Sequence, residues 1–138
     1  MGENLWPLFP GKNIQPLFER KDNTMTIVNQ TPNLKATDIY SMTKGNDVRK
    51  MADFEGEVIE IAKFILYTDA SSSGDEMTIL CVETTDGTRI ATNSATFIRN
   101  FWDIQTIFNS SGEEAPKKYK VGSGRSRSNR KYLTCDIA

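Results

Sequence analysis

The chain of 138 residues is long enough for one domain with a core and leaves room for a terminal segment. Its composition, 38% hydrophobic and 25% charged, is typical of a globular chain. No apolar run approaches the roughly 18 residues that a membrane-spanning helix needs. The first residues include Glu3 and no basic region, so we expect no signal peptide and a cytoplasmic location.

Several classes of chemistry are disfavoured by residue types. The chain has no histidine, the commonest general base and transition-metal ligand. Cys81 and Cys135 lie far apart in apolar segments, which predicts buried free thiols rather than a metal site or a disulfide framework. The carboxylate pairs Asp75-Glu76 and Glu113-Glu114 fall in predicted loops, where solvated charge is the simpler interpretation. We therefore expect a protein that is not an enzyme and that needs no metal or cofactor.

The formal net charge of −1 hides a strong segregation of charge along the chain. Residues 117–131 contain no acidic residue, whereas the rest of the chain holds 10 basic and 18 acidic residues. Local field, rather than total charge, decides whether a polyanion docks. The basic residues of this segment are Lys117, Lys118, Lys120, Arg125, Arg127, Arg130 and Lys131.

Residues 1–35 form a segment of different character, because they hold four of the five prolines and show no sustained periodicity. This predicts an extended arm followed by a domain at 36–138. Pro-Leu-Phe occurs twice within it, which is plausible for a peptide that contacts a neighbouring copy of the chain. A free tail, or one folded back on its own domain, is an equal alternative. The predicted contact residues are Trp6, Leu8, Phe9, Leu17 and Phe18.

The remaining sequence predicts one helix within a set of five strands. The predicted elements are, in chain order, a short helix (38–44), three strands (57–67, 77–84, 88–92), a helix that begins after Ser94, and two strands (118–121, 131–137). Asp86-Gly87 is a strong hairpin signal, and Phe97, Phe101 and Phe108 share one helical stripe. A helix between the third and fourth of five strands is the order of the OB-fold, a mainly β Greek-key barrel, although other small barrels have similar orders.

The predicted binding surface follows from that fold, in which a ligand lies across strands two and three and is flanked by the loop between strands four and five. Here that loop, 122–130, is rich in Gly, Ser and Arg, which suits a phosphate backbone; a solvated flexible loop is the alternative. Tyr67 and Tyr132 alternate away from the predicted apolar face and are the stacking candidates. The predicted nucleic-acid-binding residues are Tyr67, Arg89, Lys118, Lys120, Arg125, Arg127, Arg130, Lys131 and Tyr132. Tyr119 is assigned to the core, and Trp102 to the barrel end or to contact with an arm.

Five short blocks extend this interpretation to a family. They are Phe54-Glu-Gly-Glu-Val-Ile-Glu-Ile, Thr85-Asp-Gly-Thr, Ala91-Thr-Asn-Ser-Ala-Thr-Phe97, Tyr119-Lys-Val-Gly-Ser-Gly and Arg130-Lys-Tyr-Leu-Thr-Cys135. Through them, roughly the last two-thirds of the chain resembles the single-stranded-DNA-binding proteins of small Gram-positive phages and Gram-positive conjugative plasmids. The resemblance implies an OB-fold that protects single strands without sequence preference, and an arm that reaches the next subunit along DNA.

Two other functions are compatible with this sequence. An OB barrel could serve as a protein-interaction module that recruits a replication or conjugation partner through its Pro-Leu-Phe arm. An RNA-binding regulator would differ from a DNA binder only in its sugar preference, which this sequence does not reveal.

Overall fold

A computed structural model describes residues 25–70 and 73–138. Within these ranges the elements are β1 (Thr26–Gln30), α1 (Ala36–Lys44), β2 (Arg49–Lys50), a 3-10 turn (Met51–Phe54), β3 (Val58–Ala70), β4 (Glu76–Thr84), β5 (Arg89–Thr92), α2 (Ala95–Ser110), β6 (Lys118–Arg125) and β7 (Lys131–Ile137). No helix in these ranges combines the length and apolar character that crossing a membrane requires. The predicted arm residues Trp6, Leu8, Phe9, Leu17 and Phe18 lie outside the described residues.

The long strand β3 organises a single curled, mixed sheet. Its first residues, Val58–Glu60, pair with β6, and the stretch from Ile61 to Ala70 pairs with β4. The strand order is β2-β5-β4-β3-β6-β7, with β1 paired to β3 and only β2–β5 parallel. A register shift between Ile61 and Lys63 changes which side chains face inward, and such bulges bend a strand. One strand therefore belongs to both halves of the sheet and curls it around a core.

Helix α2 closes that core from one end. Its residues Phe97 and Phe101 are buried against Tyr119 and Val121 of β6, and the ring centroids of Phe101 and Tyr119 lie 5.3 Å apart. The helix also provides a hydrogen-bond acceptor at the free edge of β7, because the Cys135 amide donates to Asn100 Oδ1 at 3.2 Å. Since an unpaired buried amide is costly, this contact fixes α2 against the end of the sheet.

Helix α1 covers the opposite face of the sheet. Met42 is only 1% exposed and belongs to a second apolar cluster with Ile65, Tyr67 and Cys81, which is distinct from the core beneath α2. Burial raises the pKa of the Cys81 thiol to about 12, and the Cys135 thiol behaves in the same way. Both cysteines are free and buried, as predicted. The sheet is thus packed on both faces.

The structure confirms the predicted mainly β class, and β3 to β7 with α2 follow the predicted chain order. Three features differ. The described sheet has seven strands rather than five, because β1 and β2 join it, whereas α1 corresponds to the short helix predicted at 38–44. The sheet also begins at Thr26, before the predicted domain boundary at residue 35. Finally, β6 runs on to Arg125, so the predicted loop 122–130 is shortened to residues 126–130.

Cross-strand neighbours explain why β6 continues through its glycines. Gly122 lies opposite Thr134, and Gly124 lies opposite Tyr132. The side chains of these two β7 residues lie over the glycines, where a Cβ would come within 2.7 Å of them. Packing supplied by the partner strand therefore replaces the side chains that glycine lacks, and the strand persists.

The covered face of the sheet yields a stability prediction. Met42→Ala should lower the free energy of unfolding by about 2–5 kcal/mol, because it leaves a cavity between α1 and the sheet. Tyr40 lies on the same helix but is 66% exposed, so Tyr40→Ala should change it by no more than about 0.5 kcal/mol. Urea unfolding followed by circular dichroism measures both, and equal effects would show that α1 does not cover the sheet as described.

Candidate functional site

The β6–β7 turn is a hydrogen-bonded structure rather than an open linker. The Ser126 amide donates to the Arg130 carbonyl at 2.9 Å, and the Asn129 amide donates to the Ser126 carbonyl at 2.9 Å. Asn129 has φ of 64°, the left-handed conformation that asparagine tolerates better than most residues. The Arg130 amide also donates to Ser126 Oγ at 3.2 Å. These bonds hold the turn, and the side chains that it carries, in one defined geometry.

Four exposed cations surround this turn, and we refer to Arg125, Arg127, Arg130 and Lys131 as the hairpin tip. Arg127 and Arg130 make no ion pair with any residue in the described ranges. Arg125 donates to the Asn129 carbonyl at 3.1 Å. This acceptor is neutral, so the contact does not offset the charge of Arg125. The structure therefore brings four of the predicted binding residues together at one end of a hairpin.

Glu55 moderates the repulsion inside the hairpin tip. Arg125 and Lys131 lie directly opposite each other in the β6–β7 register, an unfavourable arrangement for like charges. The Lys131 ammonium and the Ser123 hydroxyl both donate to the Glu55 carboxylate. These contacts hold the pKa of Glu55 below its ordinary value of 4.5, and the hydrogen bond from Lys131 has the larger effect. Glu55 thus stays ionised and anchors Lys131 at the base of the tip.

A groove of about 650 Å³ lies between the hairpin tip and the start of α2. No carboxylate from residues 25–70 or 73–138 lines it. Ser94 caps the 16-residue helix by accepting from the Phe97 amide at 3.3 Å, and the positive end of the helix faces this region. The groove is lined by Thr92, Asn93, Ser94, Ala95, Thr96, Ser126, Ser128, Arg130, Lys131, Tyr132 and Leu133. Its hydroxyl, amide and cationic groups can bind an anion.

Tyr132 borders the same groove and is 36% exposed. It lies beside the hairpin tip on the face of β7 that also carries Thr134, whereas Leu133 and Cys135 point into the core. An exposed aromatic ring next to uncompensated cations is the arrangement used to stack a base while its phosphates are bound. The predicted orientation of Tyr132 away from the core agrees with the structure.

Lys118 and Lys120 are exposed but lie apart from the hairpin tip. Lys120 precedes Arg125 by five residues of strand, about 17 Å at about 3.3 Å per residue. Each lysine lies opposite an acidic neighbour in the register, Glu60 for Lys118 and Asp136 for Lys120. The structure therefore does not join these two predicted residues to the tip, and their field is partly offset by carboxylates.

The prediction that Tyr67 is a stacking residue is wrong. Its side chain does alternate away from the main core, but that face of the sheet is covered by α1, and Tyr67 is only 4% exposed. Burial raises the pKa of its phenol to about 12. A ring packed beneath a helix has no free face for a base.

The predicted role of Arg89 also disagrees with the structure. Its guanidinium is partly buried and is shared by two carboxylates, Glu83 at 3.0 Å and Asp47 at 3.3 Å. The pair with Glu83 joins β5 to β4, and the pair with Asp47 joins β5 to the segment that follows α1. Tyr67 and Arg89 are therefore not free to contact a ligand in the way that the sequence predicted.

Other residues of the site were not selected from the sequence. Asn93 and Thr96 reach the groove because they flank the start of α2, and Glu55 approaches Lys131 only through the fold. The polar run before the predicted helix, 92–96, was the available signal for the first two. Trp102 is partly buried and lines a separate groove with Leu66 and Ile98. Whether it contacts an arm depends on residues outside the described part.

Comparison of the chain with protein-family models, with curated proteins and with solved structures returns no match.

The Glu55 contacts predict a measurable titration. A depressed pKa means that the Glu55–Lys131 pair stabilises the fold above pH 4.5 and that this contribution disappears as pH falls through the pKa of the folded state. Lys131→Ala should therefore raise the pKa of Glu55 towards 4.5, as followed by NMR of its side-chain carboxyl carbon. Lys118→Ala, which removes an exposed lysine that is not paired with Glu55, is the control. An unchanged pKa in the Lys131 variant would contradict the described contact.

Proposed function

We propose that the protein is an OB-fold, sequence-independent single-stranded-DNA-binding protein that coats single strands in the cytoplasm during phage or plasmid replication or transfer. The observation that carries the proposal is the hairpin tip: Arg130, which has no ion-pair partner within the described residues, and the exposed Tyr132 border a groove that no carboxylate of those residues lines. A cation binds the phosphates and an aromatic ring stacks on the bases. Neither contact requires a particular base sequence. The protein acts by binding, without catalysis.

The strand pairing supports the OB-fold part of the proposal. β3 pairs with both β4 and β6, β4 pairs with β5, and β6 pairs with β7, while α2 lies between β5 and β6 in the chain. This pairing agrees with the Greek-key order expected of an OB barrel in which β3 is the first strand. In the described sheet β5 and β7 do not pair, and α2 occupies that end of the curl.

The route of the strand differs from the one expected for this fold. Because Tyr67 is buried beneath α1 and Arg89 is engaged in ion pairs, we place the DNA along the hairpin tip and the groove at the start of α2. Arg130, Ser126 and Ser128 then contact the phosphate backbone, and Tyr132 stacks on a base. Arg125 and Arg127 supply further positive charge at the turn.

A second element of the proposal is cooperative coating through neighbouring copies. The arm residues contain apolar side chains in pairs, and the partly exposed groove at Trp102 provides an apolar surface. A protein-interaction role would use the same surface without DNA. An RNA-binding role would use the hairpin tip, so a ribose-containing strand is included in the binding measurements below.

The hairpin tip predicts a specific salt dependence. Replacing Arg125, Arg127 and Arg130 together with Ala should weaken binding to a twelve-nucleotide oligo-dT. It should also flatten the slope of log K against log salt by up to about 0.7 for each lost phosphate contact. Fluorescence anisotropy across salt concentrations measures both quantities, with oligo-rU and duplex DNA as comparison ligands.

A matched variant separates local contact from total charge. Lys35, Lys44 and Lys117 are exposed and lie outside the tip, so their triple Ala variant removes the same charge elsewhere. This variant should largely retain the slope of log K against log salt that the parent protein shows. Equal slopes in the two triple variants would contradict binding at the tip, and duplex binding as tight as single-strand binding would contradict base stacking.

Cooperative coating gives a separate prediction. The triple variant Trp6→Ala, Phe9→Ala and Phe18→Ala should bind the twelve-nucleotide strand with the affinity of the parent but should coat a long single strand less cooperatively. Gel-shift titration distinguishes these results, since loss of cooperativity replaces an abrupt transition by a graded ladder. Unchanged cooperativity would remove the arm from the proposal and leave the hairpin tip unaffected.

A further inference from the structure

The Tyr132 ring rests on a glycine of the partner strand. Gly124 lies directly opposite Tyr132 in the β6–β7 register. A Cβ built on Gly124 would come 2.7 Å from the ring carbon Cζ, 2.7 Å from the hydroxyl oxygen and 2.9 Å from Cε1. These distances are shorter than any van der Waals contact, so the ring occupies the space that every other side chain at position 124 would need.

Backbone geometry does not explain the glycine. The glycines with positive φ are Gly56, Gly74, Gly87 and Gly112, and Gly124 is not one of them. Gly124 continues a regular strand, a conformation that alanine adopts without strain. The requirement at this position is therefore space above the strand, and the atoms that fill that space belong to Tyr132.

We infer that Gly124 is a positioning residue: it lets the Tyr132 ring lie over the β6 strand at this point and keeps the ring in place as a stacking platform for one base of the strand. This inference rests on the proposed function. With glycine beneath it, the ring packs on backbone and remains 36% exposed beside the groove. A methyl group at position 124 displaces the ring, which can tilt about its side-chain bonds while the strand remains in place.

The same strand supplies a matched control. Gly122 lies two residues earlier on the same face, and its Cβ would come 2.7 Å from Thr134 Oγ1. Gly122→Ala thus imposes a comparable steric change on the same hairpin, but it displaces a hydroxyl rather than an aromatic ring. Any general effect of adding a methyl group to β6 appears in both variants, whereas an effect on stacking appears only at Gly124.

The test compares a twelve-nucleotide oligo-dT with a twelve-unit abasic strand, which keeps the phosphates and lacks the bases. The parent protein should prefer oligo-dT, and Tyr132→Leu should reduce that preference roughly 5- to 100-fold, the range for loss of one stacked base.

Gly124→Ala should also reduce the preference for oligo-dT over the abasic strand, whereas Tyr132→Phe and Gly122→Ala should retain it. Adding Gly124→Ala to Tyr132→Leu should reduce it no further. The salt slope should stay constant throughout, because no cation is removed.

The outcomes distinguish the inference from the function on which it rests. A parent protein that binds neither strand at low salt overturns the proposed function and the inference with it. A parent that binds and keeps its preference for oligo-dT in Gly124→Ala overturns the inference alone. So does a variant that loses affinity for both strands equally as its melting temperature falls, since that marks a structural role. Tyr132→Leu leaves Gly124 unchanged and tests the platform even if the alanine variant does not fold.

Discussion

The packing of α1 against Ile65 and Tyr67 of β3 and Cys81 of β4 is the constraint on which the location of the site depends. Met42, Ile65 and Tyr67 form an apolar cluster there, and the ion pairs of Arg89 add polar contacts around it. The residues of this cluster are closed to a polymer ligand. The exposed cations of the β6–β7 hairpin lie outside the cluster, and the candidate site is located there.

Charge and shape then act together at the hairpin. The bonds of the 126–130 turn fix its course, and Glu55 forms its ion pair with Lys131 while Arg127 and Arg130 form none within the described residues. The lysines at the start of β6 face carboxylates across the sheet, which concentrates the uncompensated charge at the tip. A net charge near zero is therefore compatible with a locally positive surface, because residues 117–131 contain no acidic residue and Glu55 pairs with only one cation of the tip.

The sequence predicted the features that depend on local chemistry. The Asp86-Gly87 turn has Gly87 at φ of 89°, and Ser94 caps the helix that the phenylalanine stripe indicated. The class of fold and the basic hairpin followed from such patterns. Alternation also assigned Tyr67 to the correct face, but it carries no information about what covers that face. Contacts between distant segments decided that question.

Non-local contacts also account for the other differences. Two glycines within five residues predicted a loop, yet Thr134 and Tyr132 from the partner strand keep residues 122–125 in β6. The pairing of Glu55 with Lys131 joins segments far apart in the chain, so spacing gave no sign of it. The cations of the hairpin tip, by contrast, were identifiable because they are neighbours in sequence.

The location of the bound strand is the central claim, and amide chemical-shift mapping with oligo-dT tests it most directly. We predict perturbations confined to residues 92–96 and 123–132, with the amides of α1, Tyr67 and Cys81 unchanged. Perturbations concentrated on β4, β5 and α1, with the hairpin unaffected, would show that the strand displaces the helix and binds the face that we describe as covered.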